Sequence, residues 1–251
     1  MEFLIRDQTL RIAPRDRAAL LSEVARRFSA GEGFALATLN LDHLVKLRAD
    51  PAFLDAYLRH DLIVADGHPV VWLSSLARRP VGLVPGADMV VPLACLATQA
   101  GQSVALVGST DAALQGAEEG LRVHVPGLRV AVRIAPPMGF DPAGAQGAAV
   151  IAAIARSGAG LCLLALGAPK QEIIAARARA ALPTVGFAGV GAGLDFLAGT
   201  QIRAPRLVRR LSLEWLWRMA VQPRRLVPRY ARCAALLPRL ARDAMRMRAR
   251  P

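Results

Sequence analysis

Several chemistries are missing from this 251-residue chain. Its three cysteines, Cys95, Cys162 and Cys233, stand far apart without paired spacing. That argues against a disulfide framework or a zinc site and fits a reducing compartment. No HExxH or cysteine–histidine cluster points to a metal. No GxSxG marks a hydrolase elbow, and neither GxGxxG nor GxxxxGK[ST] occurs. Asp-x-Asp, with which many sugar-nucleotide enzymes hold a divalent cation, is absent too. The longest uncharged window, Met89 to Thr110, is broken by Pro92, Gln99, Gly101, Gln102 and Ser103. It reads as helix, turn and strand, so no transmembrane helix is expected. The opening MEFLIRDQTL has acids and no long apolar core, so it does not read as a signal peptide. There is no repeat at a fixed period and no low-complexity linker.

Charge is present but uneven. Residues 201–251 hold 14 arginines, no lysine, and only Glu214 and Asp243 as acids, which is +12 of the chain's net +13. Residues 1–200 are therefore nearly neutral. Hydrophobic residues make up 54%, enough for a sizeable core. The expected division is a catalytic body over 1–200 and a basic helical appendage over 201–251. A basic segment of this kind seeks polyanions: lipid headgroups, nucleic acid or a diphosphate.

Along the body, periodicity alternates. The first 30 residues read as a short strand pair and a helix, with Leu20, Leu21, Val24 and Phe28 at helical spacing. Short apolar strands follow at Phe34–Asn40, Asp61–Gly67, Ser103–Thr110, Leu128–Phe140, Gly160–Glu172 and Thr184–Phe196, the last four running on into loops or helices. Leu41–Arg59 reads as helix broken near Asp50-Pro51, and Pro69–Leu76 as another helix. The pattern predicts an α/β fold, a Rossmann-like, mostly parallel sheet with helices on both faces.

Ligands of such sheets bind beyond the strands' carboxyl ends. Those ends carry Thr38 and Asn40, Asp66-Gly67-His68, Gly108-Ser109-Thr110, Gly139-Phe140, Gly167 through Gln171, and Gly189-Val190-Gly191 with Asp195. Glycines after a strand let backbone N–H groups approach phosphate, and Gly108-Ser109-Thr110 and Gly189–Gly193 suit a nucleoside diphosphate. Such turns are also common in α/β proteins that bind nothing there. Asp66, before Gly67, reads equally as a helix cap or as a reacting carboxylate. His43, His60 and His124 are isolated and read as structural or surface groups; His68 reads as a helix-start residue that adjoins Asp66.

In the tail, Leu207, Leu211 and Trp215 follow an i, i+4, i+8 stripe with Trp217 nearby and arginines around it. A basic amphipathic helix with tryptophan fits a membrane interface; packing of the stripe on the body is the commoner fate. The arginines Arg210, Arg218, Arg224, Arg225 and Arg229 are candidates for an acceptor diphosphate or headgroup. RNA binding by a non-enzymatic module with a basic arm is the rival. The lack of lysine and of any RNA-binding motif argues against nucleic acid.

Seven segments occur in an order that resembles one known family: "TLN" (Thr38–Asn40), "VADGHPVVW" (Val64–Trp72), "VPGADM" (Val84–Met89), "LVGST" (Leu106–Thr110), "LGAPKQE" (Leu166–Glu172), "GVGAGLDFLAG" (Gly189–Gly199) and the arginine-rich stretch Arg203–Tyr230. Together they are similar to the WecG/TagA/CpsF family of bacterial glycosyltransferases. The resemblance implies a metal-independent, inverting transferase without a cofactor. Its donor would be a nucleoside-diphosphate sugar, UDP-sugar being the expectation. Its acceptor would be a saccharide on polyprenyl diphosphate, met at the cytoplasmic, inner face of the cell membrane in cell-surface polysaccharide synthesis. The appendage would dock on anionic membrane and complete the site with arginines. Asp66 would be the general base; Thr38, Asn40 and Gln171 would line the sugar pocket; the Gly108 loop and Asp195 would lie at the nucleotide, with Ser109, Gly139, Phe140, Gly167 and Gly191 as further lining. Oligomeric state stays open, a homo-oligomer being one outcome. One position departs: an arginine common just before the Val-x-Gly-x-Asp stretch is Leu83 here. Its charge would have to come from Arg78, Arg79 or the tail, or the donor differs.

Overall fold

The computed structural model describes residues 1–202, 204–205, 208, 214–221 and 223–249, without the side chains of Glu214, Arg218 and Arg225. The chain opens with an antiparallel hairpin, β1 (Glu2–Ile5) and β2 (Gln8–Arg11). Arg6 and Asp7 turn it with φ of 48° and 64°, the left-handed pair that tight hairpins use. Then come α1 (Arg17–Ala30), β3 (Phe34–Leu39), α2 (Leu41–Ala49), α3 (Pro51–Leu58), β4 (Leu62–Ala65), α4 (His68–Leu76), α5 (Gly86–Gln99) and β5 (Val104–Gly108). They are followed by α6 (Asp111–His124), β6 (Val130–Ile134), α7 (Ala145–Ser157), β7 (Leu161–Ala165), α8 (Lys170–Ala181), β8 (Gly186–Gly189) and α9 (Gly193–Leu197). The tail contributes α10 (Glu214–Val221) and α11 (Pro223–Arg248).

Six strands form one sheet in the order β4-β3-β8-β7-β5-β6, every pair parallel. Alternate side chains go to opposite faces. Val104 and Leu106 of β5, with Leu161 and Leu163 of β7, join the core under α1, α5 and α6; Ala105, Val107, Cys162 and Leu164 join the core under α7 and α8. Both faces are thus buried, which is why these strands read as continuous apolar runs. The helix break near Asp50 has a local cause. Asp50 accepts from Ala52 N and Phe53 N, and Pro51 opens α3.

A third core lies beside β4. It joins Phe3, Ile5 and Leu10 of the hairpin to Leu44, Phe53, Tyr57, Val70 and Leu73, and to Leu240 and Ala244 of α11. Leu226, Cys233, Leu240 and Ala244 make the buried face of α11, while Arg224, Arg232, Arg239, Arg242 and Arg246 stand exposed on the other side. Among the described residues no helix is long and apolar enough to cross a membrane.

Two histidines are sealed into this third core region. His43 Nδ1 lies 3.1 Å from the Tyr57 hydroxyl, and His60 Nδ1 lies 2.9 Å from the Ala56 carbonyl oxygen. Burial lowers their pKa to about 3 for His43 and about 4 for His60, against an ordinary 6.5. The unfolded chain therefore binds protons that the folded one refuses as pH falls from 6.5. Buried Glu172 works in the opposite sense. Its folded carboxyl keeps a proton below about 7, the unfolded one only below 4.5, which offsets one imidazole of the two. The expected net result is a loss of about 1–3 kcal/mol of stability between pH 6.5 and 4.5. Thermal unfolding of the wild type across that range, against His60→Phe, checks it: the variant should show a clearly shallower pH slope.

Candidate active site

The strand ends converge on one rim. The chain leaves β5 for α6 on one face and β7 for α8 on the other, which opens a crevice between these neighbouring strands. Gly108 at the end of β5 has φ 125°, and a Cβ there would meet the Ala165 carbonyl oxygen at 2.4 Å. Only glycine fits so close an approach. Ser109 follows with φ 50°, and its hydroxyl donates to Asp195 Oδ1 at 2.5 Å. Gln201 Nε2 donates to Asp195 Oδ2 at 3.0 Å. The Gly108 loop and α9 are thereby tied together, with Gly191 turning the chain between β8 and α9 at φ 53°.

At the other side of the rim, Asp66 follows β4. Its N–H donates to the Leu39 carbonyl at 2.8 Å, so pairing with β3 continues one residue past the strand. Its side chain is half-buried. The N-cap position of α4 is Gly67, with φ 105°, and Asp66 stands one residue before it. Asn40 is the residue that caps, its Oδ1 accepting from His43 N at 3.0 Å at the start of α2. That bond engages only the amide oxygen of Asn40. A Cβ on Gly67 would lie 3.9 Å from Asn40 Cβ, so the turns carrying Asp66 and Asn40 are neighbours. His68 is the exposed first residue of α4.

Between these two sides lie Thr38 and Gln171, 4% and 3% exposed. A Cβ on Gly86, at the start of α5, would stand 3.1 Å from both Thr38 Oγ1 and the Gly189 carbonyl oxygen. A Cβ on Gly189 would stand 2.9 Å from Gln171 Nε2. The missing side chains let Thr38, Gln171 and the first turn of α5 close over the end of β8. Gln171 is further held by Gly167, whose N–H donates to its Oε1 at 3.2 Å, and by Glu172, whose Oε1 accepts from its Nε2 at 2.9 Å. The loop bearing Gly167 has a cis Ala168–Pro169 bond.

Two expectations are corrected, one for Phe140 and one for Arg78 and Arg79. Phe140 is a core residue, 3% exposed and packed among Val107, Val150 and Ile154, so its ring lines no cleft; Gly139 beside it is exposed. Arg229 Nε forms an ion pair with Asp42 Oδ1 at 2.9 Å. Arg78 and Arg79 follow the far end of α4, nine residues and about 13 Å of helix away from Asp66. Arg79 lies 4.0 Å from Glu2, and neither arginine replaces the missing one at position 83. His43 and His60 are interior groups, in line with their reading as structural residues. Leu83 itself bridges to Ala65, directly before Asp66, and is half-buried. Arg224 is exposed; Arg210 and the side chains of Arg218 and Arg225 lie outside the described residues. Among those described, no three His, Cys, Asp or Glu side chains come together as metal ligands.

One linkage was not expected. Asp42 pairs with Arg229 of α11 and with Lys46 of its own helix at 2.9 Å, and Lys46 Nζ donates to the Ala168 carbonyl at 3.2 Å. An unbroken polar chain therefore joins the appendage, α2 and the Gly167–Gln171 loop. Its sequence signal was the i, i+4 spacing of Asp42 and Lys46.

With these positions fixed, the comparison with known proteins is direct. A family model described as the glycosyl transferase WecG/TagA/CpsF family matches residues 7–250. The chain belongs to this family. The match runs through both body and appendage, so the polar chain of Arg229, Asp42, Lys46 and Ala168 lies wholly within family sequence. Membership makes the chain a glycosyltransferase-family protein of cell-wall polysaccharide synthesis.

Removing Asp42 leaves Arg229 and Lys46 without their shared partner. Asp42→Ala is expected to cost on the order of 1–2 kcal/mol, since Asp42 is buried but both cations stay partly exposed. Amide exchange over Leu226–Ala244 should quicken while β3, β7 and β8 stay protected; equal protection of α11 in both proteins would count against the link.

Proposed function

We propose that the protein is an inverting glycosyltransferase that needs no metal and moves a sugar from a UDP-sugar to a saccharide carried on polyprenyl diphosphate. The observation that carries this reading is Asp66. It stands at a strand end beside Asn40 and near Thr38, within a rim of glycine turns, one residue before the Gly67 N-cap of α4. In the reaction, the acceptor hydroxyl oxygen attacks the anomeric carbon while Asp66 takes its proton. The bond from that carbon to the diphosphate oxygen breaks, and the nucleoside diphosphate leaves with the electron pair. One carboxylate suffices because a single displacement inverts the centre. Thr38, Asn40 and Gln171 would hold the sugar; Gly108, Ser109, Gly167, Gly191 and Asp195 would surround the nucleotide. The Gly108 turn offers backbone N–H groups to phosphate.

The appendage reading is part of the same proposal. The exposed arginines of α11 lie on one face, with the apolar residues of the opposite face occupied by the body. That face would meet anionic headgroups on the inner surface of the cell membrane, each arginine contributing about 1 kcal/mol near the surface. Arg224 and the arginines of the preceding segment would serve the diphosphates.

Asp66→Asn keeps size and removes the base. Transfer of labelled sugar to a short polyprenyl-diphosphate acceptor should fall about 10²–10⁴-fold, with UDP-dependent thermal stabilisation retained; wild-type turnover would exclude Asp66 as the base. For the appendage, truncation is the wrong probe, because Leu240 and Ala244 belong to a core. The combined variant Arg232→Ala, Arg239→Ala, Arg242→Ala should instead lose binding to phosphatidylglycerol vesicles roughly tenfold or more. Unchanged sedimentation with vesicles would place the membrane contact elsewhere.

A further inference from the structure

Glu172 is a buried acid that the reaction above does not use. It sits in the first turn of α8, 1% exposed, and its Oε2 has no hydrogen-bond partner among the described residues. Burial raises its pKa to about 7, against the favourable pull of Gln171, its own backbone and Lys46. A buried carboxyl with one satisfied oxygen is costly. A first-turn acid gains something from the helix dipole, but an exposed acid would gain that without the burial.

What the burial achieves is visible next door. The Gln171 carboxamide has two chemically different ends, and only its partners decide which way round it lies. Gly167 N–H can only donate, and it takes the oxygen. Glu172 Oε1 accepts, and it takes the nitrogen. With Gly189 offering no side chain in the way, the carboxamide lies close to the end of β8, held in one orientation by these two bonds. We propose that Glu172 is a positioning residue for sugar transfer, acting through Gln171 by fixing which end of its carboxamide faces the sugar. The claim rests on the reading of Gln171 as a sugar-pocket residue.

The test is a double-mutant cycle in the full chain, with two readouts. Glu172→Met keeps length and apolar fit but offers Gln171 no comparable acceptor; Glu172→Gln keeps an acceptor oxygen. In otherwise wild-type protein, Glu172→Met should lower kcat for sugar transfer about 10–100-fold while the Kd for free UDP changes less than twofold, and Glu172→Gln should stay within about threefold of wild type. In a Gln171→Ala background, Glu172→Met should change kcat less than twofold. The side-chain amide proton pair of Gln171, followed by nitrogen-15 NMR, should stay dispersed in Glu172→Gln and collapse toward free-amide shifts in Glu172→Met. If the methionine variant does not fold, Glu172→Ala takes its place in the same cycle. A Glu172→Met cost that is equal in both backgrounds, or an unmoved Gln171 amide pair, overturns the proposal while leaving Gln171→Ala impaired. A Gln171→Ala enzyme at the wild-type rate overturns it together with the sugar-pocket reading, so the two failures are told apart by that one corner of the cycle.

Discussion

The cleft depends on backbone approaching backbone where six parallel strands end. At Gly108 the nearest obstacle to a side chain is a carbonyl oxygen of β7, and at Gly189 it is the Gln171 carboxamide. These two strand ends flank β7 on either side, so they bring the turns after β5, β7 and β8 within reach of one another. The Ser109–Asp195 bond then locks the first of these turns to α9, and the Gly167–Gln171–Glu172 set locks the second to α8. Side chains that carry chemistry are few here. Their placement comes from the glycines around them, which is why Thr38 and Gln171 can be both nearly buried and at the mouth of the sheet.

Electrostatics links this rim to the tail. Almost all of the net charge lies beyond residue 200, yet α11 is not simply an arm in solvent. Its apolar face completes the core formed by the hairpin, α2, α3 and α4, and its Arg229 is paired to Asp42. Asp42 also holds Lys46, and Lys46 holds the carbonyl of Ala168 three residues before Gln171. The tail and the Gly167–Gln171 loop are therefore joined through two cations that share one acid. Loss of the acid would affect both ends, since each cation would be left partly desolvated.

Much of this was legible in the sequence. The six parallel strands, the hairpin and the break at Asp50 follow from apolar runs and cap residues, and the strand-end rule gathered Thr38, Asn40, Asp66, Gln171 and Asp195 before any geometry was known. Phe140 was misplaced because a strand-end list cannot say which side of the turn a ring takes; tertiary packing drew it into the core. A helical appendage was expected, and α11 runs unbroken through Pro228 and Pro238. Each removes the N–H that would bond the carbonyl four residues back, on Arg224 and Ala234. Those residues, like the prolines, are exposed, so water can satisfy the freed carbonyls and the helix continues. The ion pair of Arg229 was not legible because its partner, Asp42, lies 187 positions away on another helix.

Leu83 bears on how the proposed reaction would be driven. It bridges to Ala65 directly before Asp66 and is half-buried, so the wall next to Asp66 is apolar at this point. An apolar neighbour does not help a diphosphate leave, but it does keep water from the carboxylate and strengthens whatever fields remain. Neither Arg78 nor Arg79 can supply the missing charge from the far end of α4, and Arg229 and Lys46 are each tied to Asp42. Stabilisation of the leaving group would then fall to the backbone N–H groups of the glycine turns and to arginines of the tail. Under the proposed reaction the body alone would bind the donor, and efficient departure of the diphosphate would require the appendage in place.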